Sequence, residues 1–165
     1  MKQRSFAVYD TAWGPVTVGC GENAVTQLHF GRRHCEGQEE KTALSDEVIR
    51  QLEEYLRGAR RRFDLPLAPE GTSFQRSVWQ ALREIPYGQT RCYEEIAEAV
   101  GNPRACRAVG MANNKNPIAI LIPCHRVVGK NGSLVGYAGG LELKKKLLRL
   151  EQETCPEEPE RLGSV

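Results

Sequence analysis

Residues Tyr93 to Ala112 read YEEIAEAVGNPRACRAVGMA. Tyr93, Ile96, Ala97 and Val100 recur at i, i+3, i+4 and i+7, the spacing of one helical face. Gly101 closes that helix. Asn102 reads as the N-cap of a second helix, with Pro103 at its first position and an end near Ala112. Two short helices joined by so tight a turn make a helix-turn-helix. The second carries Arg104 and Arg107 among the small residues Ala105, Cys106, Ala108, Gly110 and Ala112. Small side chains let a helix lie close against a nucleic-acid backbone, and equally let it pack on another helix. The pattern by itself leaves both open.

Immediately downstream, NPIAILIPCHRVVGKNGSLVGYAGGL runs from Asn116 to Leu141. Ile118 to Ile122 is continuously apolar and is expected to be a buried strand or extended segment. Pro123 lacks an N–H and ends regular pairing. Cys124 is thereby delivered to the edge of the core, with His125 and Arg126 after it. A thiol becomes a nucleophile only as its thiolate, which a neighbouring base or cation favours. Adjacent side chains diverge, however, so a water between Cys124 and His125 is as reasonable as direct contact. Gly129, Gly132 and Gly136 make the following loop one that lets backbone approach a flat ligand.

Working outward, Thr72 and Gln75 have capping-box spacing ahead of a helix whose apolar face is Phe74, Val78, Trp79 and Leu82. Pro86-Tyr87-Gly88 ends it. Ser5–Tyr9, Val16–Val18 and Val25–Phe30 read as strands separated by turns. Ser45 reads as the N-cap of a helix that buries Val48, Ile49, Leu52, Tyr55 and Leu56 and stops at Gly58. Leu141, Leu143, Leu147, Leu148 and Leu150 make a last helix apolar on one side, with Lys144, Lys145, Lys146 and Arg149 expected on its solvated side. The fold class is α+β: a small N-terminal strand/helix domain over residues 1–65, a linker over 66–71, a mostly helical, winged helix-turn-helix-like domain over 72–152, and a disordered acidic tail over 153–165.

Net charge is +2 over 165 residues. The positive surplus lies between Thr72 and Glu151, with twelve Lys/Arg against six Asp/Glu, which suits an anionic partner without establishing one. Six cysteines without a CxxC pair argue against a disulfide framework and for a reducing, intracellular compartment. No signal peptide or membrane-length apolar run is read. Cys20 and the His34-Cys35 pair make no set of four metal ligands, so neither a metal nor another cofactor is expected.

Three stretches together resemble the O6-alkylguanine-DNA alkyltransferases: GTSFQRSVWQALREIPYGQTRCYEEIAEAVGNPRACRAVG, NPIAILIPCHRVVG and GYAGGLELKKKLLRLE. IPCHRV following a helix-turn-helix with RAVG is the specific part. The resemblance implies direct-reversal repair of double-stranded DNA, with irreversible, single-turnover transfer of an alkyl group from O6 of guanine to Cys124. His125 is implied as the base, through a water, and Glu151 as the acid that orients it. Tyr93 is implied as donor to a guanine ring nitrogen and as a DNA contact. Asn116, Tyr137, Ala138 and Val127 are implied to hold the base; Arg107 to fill the space of the flipped nucleotide; Arg104 and Ala105 to meet DNA. A monomer is implied, cytoplasmic, nucleoid-associated in a prokaryote or nuclear in a eukaryote. Transcriptional activation is not expected.

Two other readings compete. A winged-helix DNA-binding protein, or a non-catalytic binder of alkylated DNA that flags lesions for other enzymes, needs the same helix-turn-helix but not Cys124. A cysteine hydrolase would use Cys124 and His125, leave the helix-turn-helix without purpose, and lacks a hydrolase signature around the cysteine.

Overall fold

The computed structural model describes residues 3–137 and 139–155. The chain opens with a tight hairpin of β1 (Ser5–Thr11) and β2 (Gly14–Cys20), in which Thr11 faces Gly14. Gly14 has φ +102°, which side-chain-bearing residues rarely adopt. β3 (Val25–Phe30) pairs antiparallel with β2. A two-residue β4 (Gln38–Glu39), whose polar sequence gives no strand signal, pairs parallel with β1 and completes the order β3-β2-β1-β4.

α1 (Ala43–Leu56) packs on β1 and β2 and buries Val48, Ile49, Leu52, Tyr55 and Leu56 as the periodicity predicts. Its N-cap is Thr42, not Ser45. The Ser45 N–H donates to Thr42 Oγ1 at 3.1 Å and the Thr42 N–H to Ser45 Oγ at 2.8 Å. Ser45 is thus the reciprocal partner of a capping box one turn inside the helix. Gly58, at φ +80°, ends α1 with paired bonds from Gly58 N to Tyr55 O and from Ala59 N to Glu54 O.

The remainder comprises α2 (Ser73–Arg83), β5 (Arg91–Cys92), α3 (Tyr93–Ala99), α4 (Cys106–Asn114), a 3-10 turn (Cys124–Arg126), β6 (Val127–Val128) and α5 (Leu141–Thr154). Thr72 and Gln75 cap α2 reciprocally. Trp79 Nε1 donates to Ala112 O at 2.8 Å and ties α2 to α4. β5 and β6 pair in parallel, so the strand entering the helix-turn-helix is fastened to the strand leaving Cys124.

Several expectations change. α4 starts at Cys106: residues 102–105 form a turn closed by Ala105 N to Asn102 O at 3.0 Å, a position that fits the fixed φ of Pro103 as well as a helix start does. Ile118 to Ile122 is buried but is not a strand. It folds back on itself, with Ile120 at φ +69° and a bridge between Ala119 and Ile122. Lys144 is on the inner side of α5 and fully buried. α5 reaches Thr154 and is capped by Cys155, since no helix breaker precedes Pro156; residues 156–165 of the expected tail lie outside the described residues.

One hydrophobic core joins the two halves, running from Leu28 and Leu52 through Trp79 to Ile118 and Leu147. The outer edge of β3 explains how. It exchanges backbone bonds with residues 66–68 (Val25 N to Pro66 O and Ala68 N to Val25 O, both 2.8 Å) and with residues 117–119 (Leu28 N to Pro117 O, 2.9 Å; Ala119 N to Leu28 O, 3.0 Å). The first of these segments, within the expected linker, is therefore a sheet-edge partner. The second holds the loop before Cys124 against the N-terminal sheet. No helix among the described residues is long and apolar enough to cross a membrane.

Candidate active site

A 3-10 turn has three residues per turn, so Cys124, His125 and Arg126 point in different directions. Cys124 faces a cavity of about 60 Å³ that Asn114, Asn116 and Tyr137 also line. Its loop is held from two sides: Asn113 Nδ2 donates to Cys124 O at 3.3 Å, and Asn116 Nδ2 donates to Ile122 O at 2.8 Å. Asn116 Oδ1 also accepts from Ile118 N at 3.0 Å, which stabilises the folded-back turn. Burial pushes the thiol pKa up to about 11, against the opposing effects of Asn116, Lys144 and Tyr137. The resting sulfur is therefore protonated, and a base has to remove that proton for it to attack.

His125 is fully buried and donates from Nε2 to Glu151 Oε2 at 2.7 Å. That bond leaves Nδ1 as the acceptor, and Nδ1 is a buried atom with no partner among the described residues. Burial lowers the imidazole pKa below its ordinary value of 6.5, with Arg126 and Lys144 acting in the same direction and Glu151 opposing.

Glu151 also receives Arg126 Nε at 2.8 Å and a second guanidinium N–H at 2.9 Å, the Tyr55 hydroxyl at 2.5 Å and the Gly88 N–H at 3.2 Å. Burial alone would raise its pKa, but His125 and Arg126 hold it well below the carboxylate range. Arg126 thus pairs with Glu151, and donates to Ile85 O at 2.7 Å, rather than acting on the thiol as its place in the sequence suggested. Because Arg126 balances the Glu151 charge, the histidine is free to remain a neutral base.

The other expected residues fall in different places. Tyr93, half-buried at the start of α3, donates its hydroxyl to Val135 O at 2.9 Å; burial and then the Cys124 charge raise its pKa. The buried Tyr137 hydroxyl interacts with the Cys124 thiol and makes no other hydrogen bond among the described residues. Val127 does not line the cavity: it is buried in β6 opposite Arg91, because the 3-10 turn has already redirected the chain. Ala138 lies outside the described residues. Arg104 and Arg107 are exposed and Ala105 is half-buried, on or just before α4.

Sequence reasoning missed Lys144, whose Nζ donates to Val135 O at 2.9 Å and Gly136 O at 3.2 Å and so ties down the loop beside Cys124. It missed Asn113 and Asn114, which extend α4 past its expected end near Ala112, and Tyr55, which looks like an ordinary core aromatic. It also missed Met111, 59 % exposed one turn after Arg107. A signal existed for Met111 alone, as an apolar residue on the basic face of α4.

Residues 73–153 match the family model of the 6-O-methylguanine DNA methyltransferase DNA binding domain, and residues 5–69 that of its ribonuclease-like domain. The chain belongs to the 6-O-methylguanine DNA methyltransferase family. Relatives in the family include the methylated-DNA–protein-cysteine methyltransferase of Methanosarcina acetivorans, 50 % identical over 151 residues that make up 88 % of this chain and 97 % of that protein. The constitutive enzyme of that name from Bacillus subtilis is 42 % identical over 156 residues, 89 % of this chain and 94 % of that one. Among solved structures, Mycobacterium tuberculosis OGT in complex with DNA superposes with a TM-score of 0.84 at 42 % identity, covering 92 % of this chain and 95 % of that one.

The state of His125 sets a pH dependence for family chemistry at Cys124. With His125 as the proposed base, its neutral form has to act and burial lowers its pKa from the ordinary value, so single-turnover alkyl transfer should hold steady around neutral pH and fall only in acid. A stopped-flow pH series checks this. A rate that instead climbs in proportion to hydroxide towards pH 11 would mean that solvent, not His125, takes the thiol proton.

Proposed function

We propose that this chain, as a monomer, repairs O6-alkylguanine in double-stranded DNA by moving the alkyl group to Cys124, once per molecule. The observation that carries this reading is the buried Cys124, one residue before a buried His125 whose Nε2 is bound to Glu151 and whose Nδ1 has no partner among the described residues. The thiol proton passes to His125, directly or through a water. The sulfur–carbon bond forms as the carbon–O6 bond breaks. The departing guanine takes a proton at a ring nitrogen from Tyr93, whose hydroxyl donates to a loop carbonyl in this structure, and leaves neutral. Cys124 ends as a thioether with nothing to regenerate it.

The reacting carbon of such a base is inside the duplex stack, so the nucleotide has to be extruded. The exposed face of α4 carries Arg107, Ala108 and Met111, with Lys115 at its C-cap and no acid, which supports α4 as the element that enters the groove. The cavity at Cys124 is far smaller than the roughly 300 Å³ of a common ligand pocket.

Intact-protein mass spectrometry after incubation with duplex O6-methylguanine, followed by peptide mapping, tests the reading. The expected result is one methyl group per chain, on Cys124, and no further turnover. Binding without a mass change would make the chain a lesion binder. Arg107→Ala should slow repair of duplex DNA by about 10-fold or more, since it loses part of the few kcal/mol that extrusion costs, and should slow reaction with free O6-alkylguanine much less. Equal losses on both substrates would remove Arg107 from extrusion.

A further inference from the structure

We propose that Arg33 makes the Cys124 cavity selective for anionic alkyl groups, so that a carboxylated adduct on O6 is transferred in preference to an uncharged one of the same size. This rests on the alkyl transfer proposed above and adds a substrate class to it.

The cavity is not built by the helical half alone. His29, Phe30 and Arg33, from β3 and the loop after it, line it together with Asn114, Ala119 and Tyr137. They are brought there by the bonds between the β3 edge and Pro117 and Ala119. Arg33 is held in place. Its backbone N–H donates to Thr17 Oγ1 at 2.9 Å and its guanidinium donates to His29 Nδ1 at 2.7 Å. A guanidinium can only donate, so Nδ1 is the acceptor and the ring proton is on Nε2. Nε2 donates in turn to Gln27 Oε1 at 2.6 Å. This chain fixes a neutral imidazole, and burial followed by the Arg33 charge lowers its pKa to about 4. Around neutral pH the Gln27–His29–Arg33 chain therefore carries one positive charge, on Arg33. Among the described residues no ion pair neutralises it.

In a displacement at carbon, sulfur and O6 occupy opposite sides of the reacting atom. Any substituent on that atom projects sideways, into the cavity. A methyl group offers a guanidinium nothing. A carboxylate accepts its N–H groups in a charge-assisted, two-pronged contact. An isosteric amide accepts more weakly and adds no charge.

The test measures single-turnover transfer from duplexes carrying O6-methylguanine, O6-carboxymethylguanine or its uncharged isostere O6-carbamoylmethylguanine, each rate divided by the same protein's methyl rate. Wild type should favour carboxymethyl over carbamoylmethyl by about 10-fold, less in high salt. Arg33→Gln should abolish the preference and Arg33→Lys should keep part of it. A wild type with no preference overturns the proposal. So does an Arg33→Gln variant that slows all three substrates equally, which is the behaviour of a phosphate contact. Absence of methyl transfer by wild type would instead sink the alkyl-transfer reading itself.

Discussion

Cys124→Ser should bind duplex O6-methylguanine within about threefold of wild type, ~0.6 kcal/mol, and leave the methyl group on the base. The expected loss of transfer is complete on the timescale of a single wild-type turnover. A serine hydroxyl is a far poorer nucleophile than a thiol at carbon, and a histidine whose pKa is pushed down by burial is too weak a base to deprotonate it. The proposed binding surface is separate: the exposed face of α4 does not include the sulfur, which is buried. Fluorescence anisotropy on labelled duplex, with mass spectrometry on the same samples, measures both quantities. Slow transfer to the substituted hydroxyl would show that the site activates any nucleophile. Loss of binding would show that the thiol helps to seat the extruded base.

Glu151→Gln should destabilise the fold by about 3–5 kcal/mol and abolish transfer. The carboxylate is 1 % exposed and accepts bonds from Arg126, His125, Tyr55 and Gly88, so its removal leaves the Arg126 guanidinium buried without its counter-charge. For a domain of ordinary stability that is a large share of the total. Urea unfolding followed by circular dichroism measures it. The double variant Arg126→Met with Glu151→Gln should be less destabilised than the sum of the single changes, because the orphaned charge is gone. The same carboxylate gives the wild type a pH dependence. Its pKa in the folded protein lies below the unfolded value near 4.5, so its contribution is fully present above that pH and declines as the pH falls below it.

The parts of this molecule that are legible in the sequence are those governed by neighbours within about one helical turn. β3 spans Val25–Phe30, as its residues indicate, because β-branched and aromatic side chains between turns suffice to mark it. The α1 face from Val48 to Leu56 follows from helical spacing, and the Thr72–Gln75 box from a three-residue interval. The PCHR motif, read with the helix-turn-helix, is enough to suggest the family and to pick out Cys124.

What tertiary structure decided concerns partners far apart in the chain. The pairing of Arg126 with Glu151 spans 25 residues and that of Tyr55 with Glu151 spans 96, and neither residue carries a local mark of it. Lys144 sits in a leucine-rich helix beside other lysines, and the carbonyls of Val135 and Gly136 that it reaches help make its burial tolerable. Ile118 to Ile122 has strand composition, yet Asn116 and the β3 edge bend it into a turn. His29 and Arg33 come to line the cavity at Cys124 only because that edge is bonded to residues 117–119. The sequence by itself marked the three long strands, the helices and the cysteine proposed to react. The folded structure decided which buried charges balance, and so which groups surround that thiol, because a buried charge is stable only where the rest of the fold supplies its partners.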